Sequence, residues 1–432
     1  MKVSKFGGTS LADAHQIQKV LDIIRSDPER QCIVVSAPGK RNPEDRKITD
    51  LLYEWHRHQE LRLSSDEIWK IIESRYAEII CDLRLDFDLK SELLEINKAI
   101  GDGASQDYAA SRGEYLTGKI MACALGYEFV DATCIHLDRQ GHYLEVDKQL
   151  QSVLQGRKAV IPGFYGSLPD GSIKTFSRGG SDITGAIIAR AVGATIYENW
   201  TDVPGLLTAD PGVVECPKRI GVATYREVRE LSYMGAKVLH ANAVFPAQEA
   251  GITINIRNTN DPSDRGTYIV ANRKRQEGEA VITGVAGRKN FTVITVEKMM
   301  MHPQVGFARK ILAVLEENSI SLEHMPSGID SLSIIVGDEQ LGGKLAPVLK
   351  EIQESCSPDT IETYPHMAMI AIVGQSMAHT PGIAAKILAA VAKERINIRM
   401  LNQGSSEISI IIGVKNKDCD NAIRAIHREF FE

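Results

Sequence analysis

Val3-Ser4-Lys5-Phe6-Gly7-Gly8-Thr9-Ser10 reads as a short apolar strand that runs into a glycine pair and then a helix start. Beyond it Leu11, Ile17, Val20, Leu21 and Ile24 fall on one helical face, with Asp13 near the helix start. Cys32-Ile33-Val34-Val35 is a continuous apolar run, the pattern of a strand buried on both faces of a parallel sheet. Lys158 to Gly163, Ala194 to Glu198 and Ile252 to Arg257 repeat that type, with helical segments such as Asp182 to Val192 between them. The alternation predicts a doubly wound α/β domain over the first 270 or so residues. Residues 41–100 are charged, helical in period and poor in glycine, so they read as a helical excursion from the sheet.

The composition shifts at Ala271-Asn272-Arg273-Lys274-Arg275-Gln276-Glu277-Gly278-Glu279, a polar run that reads as a linker. An internal repeat follows. Gly306 to Gly337 aligns without gaps on Gly382 to Gly413, with 12 of 32 positions identical. Each copy reads strand, glycine-capped helix, strand, turn, strand. Two copies are too few for a solenoid, so they predict two small α+β modules that pack edge to edge or swap strands. Ser409-Ile410-Ile411-Ile412 would be hazardous as a free edge, so pairing between modules or between subunits of a homo-oligomer is expected.

The chain has 432 residues, a length that suggests roughly three domains. At 43% hydrophobic and 25% charged it has ordinary globular composition and can bury a large core. The net charge of −6 offers no positive field for nucleic acid or an anionic membrane, and neither is an expected partner. Seven scattered cysteines without a C-x-x-C pair argue against a disulfide framework or structural zinc. The N-terminus lacks the apolar run of a signal peptide. The longest uncharged stretch, Met367 to Ala385, is broken by Gly374, Gln375, Ser376, His379, Pro381 and Gly382, so it is not a membrane span. A cytoplasmic location is the expectation.

Several segments carry candidate chemistry. In Lys5-Phe6-Gly7-Gly8-Thr9-Ser10 the glycines let backbone N–H groups approach a phosphate, and a helix N-terminus favours the anion. Lys5 would set an ammonium on a transferring phosphoryl group; the plainer reading is a tight βα turn with a surface lysine. Ser177-Arg178-Gly179-Gly180-Ser181-Asp182 repeats the logic. An arginine there suits a carboxylate or phosphate, although Ser181 or Asp182 alone would serve as an N-cap. Ser111-Arg112-Gly113-Glu114 brings a carboxylate near a third glycine; in isolation Glu114 reads as a solvated first-turn acid. Thr201-Asp202-Val203-Pro204-Gly205 opens a loop at the carboxyl end of a strand, where α/β ligands bind. Gly235-Ala236-Lys237-Val238-Leu239-His240 offers a second buried-looking lysine. Gly113-x4-Gly118-Lys119 falls short of a phosphate-binding loop because Ile120 stands where Ser or Thr would hold Mg²⁺. His56 and His58 read as a solvated helix face, and Met299-Met300-Met301 as core filler. No protein metal site is expected.

Taken together, Lys5-Phe6-Gly7-Gly8-Thr9-Ser10, Arg178-Gly179-Gly180-Ser181-Asp182, Trp200-Thr201-Asp202-Val203-Pro204-Gly205 and Gly235-Ala236-Lys237-Val238-Leu239-His240 resemble the motifs of aspartokinases, in the right order and with the duplicated tail. The resemblance spans essentially the whole chain. It implies an amino-acid-kinase three-layer αβα sandwich with a mostly parallel sheet over residues 1–275. A linker and first strand of the regulatory region would follow at 276–290, then two ferredoxin-like ACT modules at 291–362 and 363–432. The implied reaction is ATP-dependent phosphorylation of the side-chain carboxylate of L-aspartate, giving 4-phospho-L-aspartate, with Mg²⁺ carried by the nucleotide. That is the first step towards lysine, threonine, methionine and diaminopimelate.

The resemblance also assigns residues. Lys5, Gly7 and Gly8 match positions that hold ATP phosphates, and Asp182 matches the carboxylate that positions the phosphate-binding lysines. Thr49, Glu114 and Arg178 match aspartate-binding positions, with Arg178 on a substrate carboxylate and Glu114 on the α-amino group. Ser36, Gly179, Gly180 and Ser181 line the substrate site. Thr201, Asp202, Lys237 and Val238 match nucleotide contacts. Leu207 and Gly212 depart from the family pattern, which often has tyrosine and arginine there. Feedback by lysine is expected at the first module, on Gly306, Phe307, Leu322 and Glu323, with Glu323 facing the ε-ammonium; threonine is the competing effector. Two other readings stand beside this one: a sister amino-acid kinase acting on another acid, and a catalytically weakened sensor.

Overall fold

The computed structural model describes residues 1–146, 154, 157–176, 179–236, 245–274, 278–378 and 380–432. They form two compact units. The first holds Met1–Leu206, Arg219–Arg229 and Lys237–Lys274; the second holds Leu207–Lys218, Glu230–Ala236 and Arg275–Glu432.

The strands of the first unit are β1 (Lys2–Phe6), β2 (Arg30–Val35), β3 (Glu128–Phe129), β4 (Ile135–Leu137), β5 (Tyr143–Val146), β6 (Ala159–Pro162), β7 (Tyr165–Ser167), β8 (Ile173–Thr175), β9 (Ile196–Thr201), β10 (Val222–Thr224), β11 (Thr253–Asn258) and β12 (Thr267–Val270). Eight of them make one sheet in the order β10-β12-β11-β9-β1-β2-β6-β3. Every described pair in it is parallel except β11 with β12. The other four form a small sheet, β5-β4-β7-β8. The longer helices of this unit are α1 (Ala14–Arg25), α2 (Ile48–Glu60), α3 (Asp66–Asp82), α4 (Leu89–Gly101), α5 (Gln106–Leu125) and α6 (Gly180–Ala191), while α7 (Tyr225–Tyr233) is divided between the two units after Arg229.

Ile17, Val20, Leu21 and Ile24 of α1 are buried in one core with Phe6, Ile33, Val35 and Trp200 from the sheet. The charged stretch 41–100 folds as α2, α3 and α4 and adds Ile48, Leu52, Trp55, Ile72 and Tyr76 to the same core. His56 does not lie on a solvated face: it is buried, and its Nε2 sits 3.0 Å from the Ala104 carbonyl oxygen. The periodicity of α2 placed the polar side there, but α4 and its following turn cover it. On the opposite sheet face α6 lies directly against β9. A Cβ on Gly185 would come within 2.5 Å of the Tyr197 ring, so only glycine permits that approach. Helices on both faces make this the mostly parallel αβα sandwich that the alternation predicts.

Asp13 caps α1, its Oδ1 accepting from the Gln16 N–H at 2.8 Å. Asp13→Ala is expected to cost about 1 kcal/mol, read as a lower urea midpoint with unchanged slope.

In the second unit β13 (Gly284–Glu297), β14 (Ser331–Gly337), β15 (Thr360–Val373), β16 (Met400–Gln403) and β17 (Ser409–Lys415) form a single antiparallel sheet, β14-β13-β15-β17-β16. Helices α8 (Phe307–Glu317), α9 (Leu345–Cys356), α10 (Ile383–Lys393) and α11 (Cys419–Phe431) pack on it over two separate cores. The two longest strands serve both modules. Phe291–Glu297 of β13 pair with β14, whereas Gly284–Lys289 pair with Ala368–Val373 and so close the second module's sheet. The strand expected within 276–290 is thus the first half of β13: Gly284–Lys289 pair in the later module, and the same strand runs on into the earlier one. The register shifts around Asn290, whose φ is 70°, where the modules meet.

Ser409-Ile410-Ile411-Ile412 is an interior strand between β15 and β16. The edge that prompted an expected association of subunits is therefore satisfied within the chain. Of the methionine triplet Met301 is buried, but Met299 and Met300 are exposed, which corrects the core-filler reading. They lie in the turn after β13, beyond the sheet that would have covered them.

Candidate active site

Parallel strands β1, β2, β6 and β9 all end on one edge of the main sheet, so the turns after Phe6, Val35, Pro162 and Thr201 gather there. A cavity of about 270 Å³ in the first unit is lined by Lys5, Ser36, Thr49, Tyr53, Glu114, Phe164, Gly179, Gly180, Ser181 and Asp182. Eight of these come from the residues singled out in the sequence; Tyr53 and Phe164 do not. Arg178, Lys237 and Val238 lie outside the described residues.

Lys5 is the penultimate residue of β1 and is buried. Its Nζ lies 2.6 Å from Asp182 Oδ1 and 3.5 Å from the Asn199 side-chain oxygen. Asn199 Nδ2 in turn donates to Asp182 Oδ1 at 3.0 Å. Lys5 and Asn199 are register partners on neighbouring strands, so the sheet itself sets this triangle. The reading of Lys5 as a surface lysine falls away.

Asp182 stands in the first turn of α6, behind Gly179 in the left-handed region (φ 72°). Tyr197 Oη donates to the Asp182 carbonyl at 3.0 Å and pins that turn. Ser181 reaches the sheet because residue 163 is glycine: a Cβ there would lie 2.4 Å from Ser181 Oγ. Phe164, which follows with φ 76°, donates its N–H to Thr184 Oγ1.

Gly7 and Gly8 do less for an anion than their pattern suggests. The Gly7 N–H is already donated to the Trp200 carbonyl at 3.0 Å. A Cβ on Gly8 would sit 2.8 Å from the Ala37 carbonyl oxygen, so this glycine lets two turns touch. Thr201 ends β9 and donates to Asp202 Oδ1 at 3.1 Å; neither residue lines the cavity.

Glu114 is not a solvated first-turn acid. It is the ninth residue of α5, only 4% exposed, and it faces the cavity. Burial pushes its carboxyl up to about 8, against the opposing pull of the Ala37 N–H and the Arg112 and Lys5 charges. Its Oε2 has no hydrogen-bond partner among the described residues. A buried carboxyl with one oxygen left unpartnered beside a cavity is a ready site for a cation.

Missing Tyr53 was avoidable. It stands one turn beyond Thr49 on α2, and residues four apart share a helix face. Asn199 and Phe164 carried no such signal, since strand pairing and an unusual backbone angle placed them.

Residues 1–258 match the amino acid kinase family model, and residues 370–430 match an ACT domain. Aspartokinase 3 of Bacillus subtilis (strain 168) is 38% identical over 450 residues, covering 100% of this chain and 99% of that protein. The chain belongs to the aspartokinase family. It is an aspartate kinase with an allosteric ACT region. The crystal structure of Clostridium acetobutylicum aspartate kinase is 50% identical, with a TM-score of 0.93 over 100% of both chains. Escherichia coli aspartokinase III in complex with aspartate and ADP is 26% identical, with a TM-score of 0.79 and 100% of both chains covered. Among the described residues of this aspartokinase no helix is long and apolar enough to cross a membrane.

In the regulatory unit, the expected effector residues fall at two ends of the first module: Phe307 lies by Lys298, next to the start of β14, whereas Glu323 donates its N–H to Ile335 near the end of that strand. Gly306 (φ 83°) caps α8, Phe307 enters the core, and Leu322 packs on the same core. Glu323 is no solvated strand-end acid. Its side chain is 4% exposed, with Oε1 2.9 Å from Arg288 Nη2 and the other oxygen accepting from Tyr233 Oη. In the second module Arg399 occupies the matching position, over the Tyr364 ring.

Proposed function

We propose that this enzyme transfers the γ-phosphoryl group of ATP to the side-chain carboxylate of L-aspartate, giving 4-phospho-L-aspartate as the first step of amino-acid biosynthesis, and that lysine inhibits it at the first ACT module. One observation carries the reading. A single cavity holds an ammonium fixed by its own carboxylate, Lys5 with Asp182, and the buried Glu114 carboxyl, whose Oε2 has no partner among the described residues. A doubly anionic amino acid presents both complements: a carboxylate that can stand near Lys5, and an α-ammonium for Glu114. Thr49, Ser36 and the α6 N-terminus supply neutral donors around it, and Arg178 is assigned to a substrate carboxylate.

The nucleophilic carboxylate is already ionised at neutral pH, so it needs no general base. The work lies in bringing two anions together in line and stabilising charge on the transferring group. Lys5 meets that need, and Lys237, which lies outside the described residues, is assigned to the nucleotide by its motif. Mg²⁺ travels on the nucleotide phosphates and supplies further neutralisation there, in keeping with its reluctance to enter all-protein cages.

Support for lysine comes from the E. coli relative named lysine-sensitive aspartokinase 3, 28% identical over 453 residues, and from the structure of E. coli aspartokinase III in complex with lysine and aspartate. Glu323 supplies the acid an ε-ammonium needs, but the cation has to share it with Arg288 and Tyr233. Such an effector inhibits only by favouring one of two states.

Hydroxylamine trapping of acyl phosphate tests both parts. Aspartate is expected to yield hydroxamate with ATP, and glutamate is not. Lysine is expected to inhibit, and Glu323→Ala to raise its half-inhibitory concentration about tenfold or more. Equal inhibition of both proteins by lysine would remove Glu323 from the site, and inhibition by threonine alone would change the effector.

A further inference from the structure

Residues 36–47 join β2 to α2 without regular structure. The loop starts at Ser36 and runs into the first turn of α2, where Thr49 stands, and both residues line the cavity. Backbone bonds dock its base. The Ser36 N–H is donated to the Phe6 carbonyl at 3.2 Å, the Gly39 N–H to the Gly8 carbonyl at 2.8 Å, and the Ile48 N–H to the Pro38 carbonyl at 3.2 Å. A Cβ on Gly39 would lie 2.7 Å from the Gly8 carbonyl carbon and 2.8 Å from the Thr9 nitrogen, so no side chain fits there. The loop rests directly on the glycine turn that follows Lys5.

A single buried side chain spans this loop. Arg75, on α3, is 2% exposed. Its Nη1 donates to the Gly39 carbonyl at 3.2 Å, and its Nη2 lies 2.7 Å from each oxygen of Asp45. The guanidinium thus ties the outgoing limb of the loop, at Gly39, to the returning limb, at Asp45. Asp45 also accepts from the Arg41 N–H at 2.9 Å and from Arg41 Nε at 3.1 Å. Partial burial works against its charge, yet these donors and the Arg75 cation hold its carboxyl at about 2, so the pair is ionised across the neutral range. Tyr76, next on α3, donates its hydroxyl to the Gly113 carbonyl at 2.8 Å, one residue before Glu114. Helix α3 therefore backs both the loop and the turn of α5 that carries Glu114.

Neither Arg75 nor Asp45 lines the cavity. A buried ion pair is also a poor way merely to fill space, since apolar side chains of similar volume do as well or better. What arginine adds is direction, a planar fork that fixes a carbonyl and a carboxylate at once. We propose that Arg75 is a positioning residue for phosphoryl transfer: through Gly39 and Asp45 it holds the β2–α2 loop on the Gly8 turn and so fixes where Ser36 and Thr49 present the acceptor carboxylate to Lys5. The proposal rests on the assignment of this cavity to aspartate.

Arg75→Met combined with Asp45→Asn removes both charges together and leaves no unpaired ion buried. Because transfer between aligned groups is sensitive to displacements of about 1 Å, this double variant is expected to lose about tenfold in kcat and to raise the aspartate KM about fivefold. Its ATP KM should stay within twofold and its Tm within a few degrees of wild type. Arg75→Lys keeps the ion pair but has no second arm for the Gly39 carbonyl, and should recover only part of the loss. Gly39→Ala leaves the pair untouched, pushes the loop off the Gly8 turn, and should lower kcat likewise.

Wild-type kcat and aspartate KM in the double variant overturn the positioning role. So do parallel rises in both KM values with a lowered Tm, which would mean a general structural role. Glu114→Gln run alongside separates the two levels. If it raises the aspartate KM while the double variant is unaffected, the role of Arg75 alone is wrong; if it too has no effect, the assignment of the cavity fails, and the role of Arg75 with it.

Discussion

Lys5→Ala is expected to lower kcat by on the order of 10²–10³-fold, with the aspartate KM changed no more than a few-fold. The size follows from preorganisation. The ammonium is buried, held at 2.6 Å by Asp182 and steadied by Asn199, so it needs no reorientation when charge develops on the transferring phosphoryl group. Such a donor contributes far more to the transition state than to the ground state. Lys5→Arg should be only a partial rescue, since the larger planar group does not fit the Asp182–Asn199 corner. Steady-state hydroxamate formation reads the effect. A Lys5→Ala enzyme turning over near the wild-type rate would return this lysine to a structural role.

Glu114→Gln is expected to raise the aspartate KM on the order of 10²-fold, with the ATP KM within a few-fold. A buried ammonium would lose its counter-charge, and an amide of nearly the same shape replaces it. The same residue predicts a pH dependence. Burial holds the empty-site carboxyl near 8, so at pH 7 most of the enzyme has Glu114 protonated and must release that proton to pair with the α-ammonium. One pH unit corresponds to about 1.4 kcal/mol. The aspartate KM should therefore fall about tenfold between pH 7 and 9 in the wild type and stay flat in Glu114→Gln. Calorimetry in buffers of different ionisation enthalpy should register proton release on binding at pH 7.

Stability follows the opposite course. The folded-state value lies above the ordinary 4.5, so between about 4.5 and 8 the folded chain keeps a proton that the unfolded chain gives up. Glu114 is neutral to stability below that window, destabilises progressively as pH rises through it, and costs its full amount above 8. Glu114→Gln should accordingly melt higher than wild type at pH 8.5 and much like it at pH 5. A wild-type aspartate KM that is level from pH 7 to 9 would contradict the burial of this group.

How far the sequence could be read depended on the distance over which each feature was decided. Asp13 could be read as a helix start because the cap bonds a backbone N–H only three residues away. The buried strands and the amphipathic face of α1 were legible for the same reason, as was the duplication of the tail. Lys5 and Asp182 stood out as motif members, yet the 2.6 Å contact between them joins residues 177 positions apart. His56 was misread because helical period ranks faces by polarity and knows nothing of Ala104 arriving from another helix end.

Local pattern alone determined the strand–helix alternation, the helical excursion, the two homologous modules and the candidate phosphate and substrate loops, because backbone preference and amphipathic period are properties of neighbouring residues. Tertiary structure alone decided which of those loops share a cavity, and it added Tyr53, Phe164 and Asn199 to them. It decided that Gly7 spends its N–H on Trp200, that Glu323 is sequestered by Arg288 and Tyr233, and that β13 gives its first half to the second module. Above all it decided the state of Glu114. A glutamate in the middle of a polar-looking helix becomes a proton-holding acid only when distant segments close over it and take away its water, and desolvation is a property of the assembled fold.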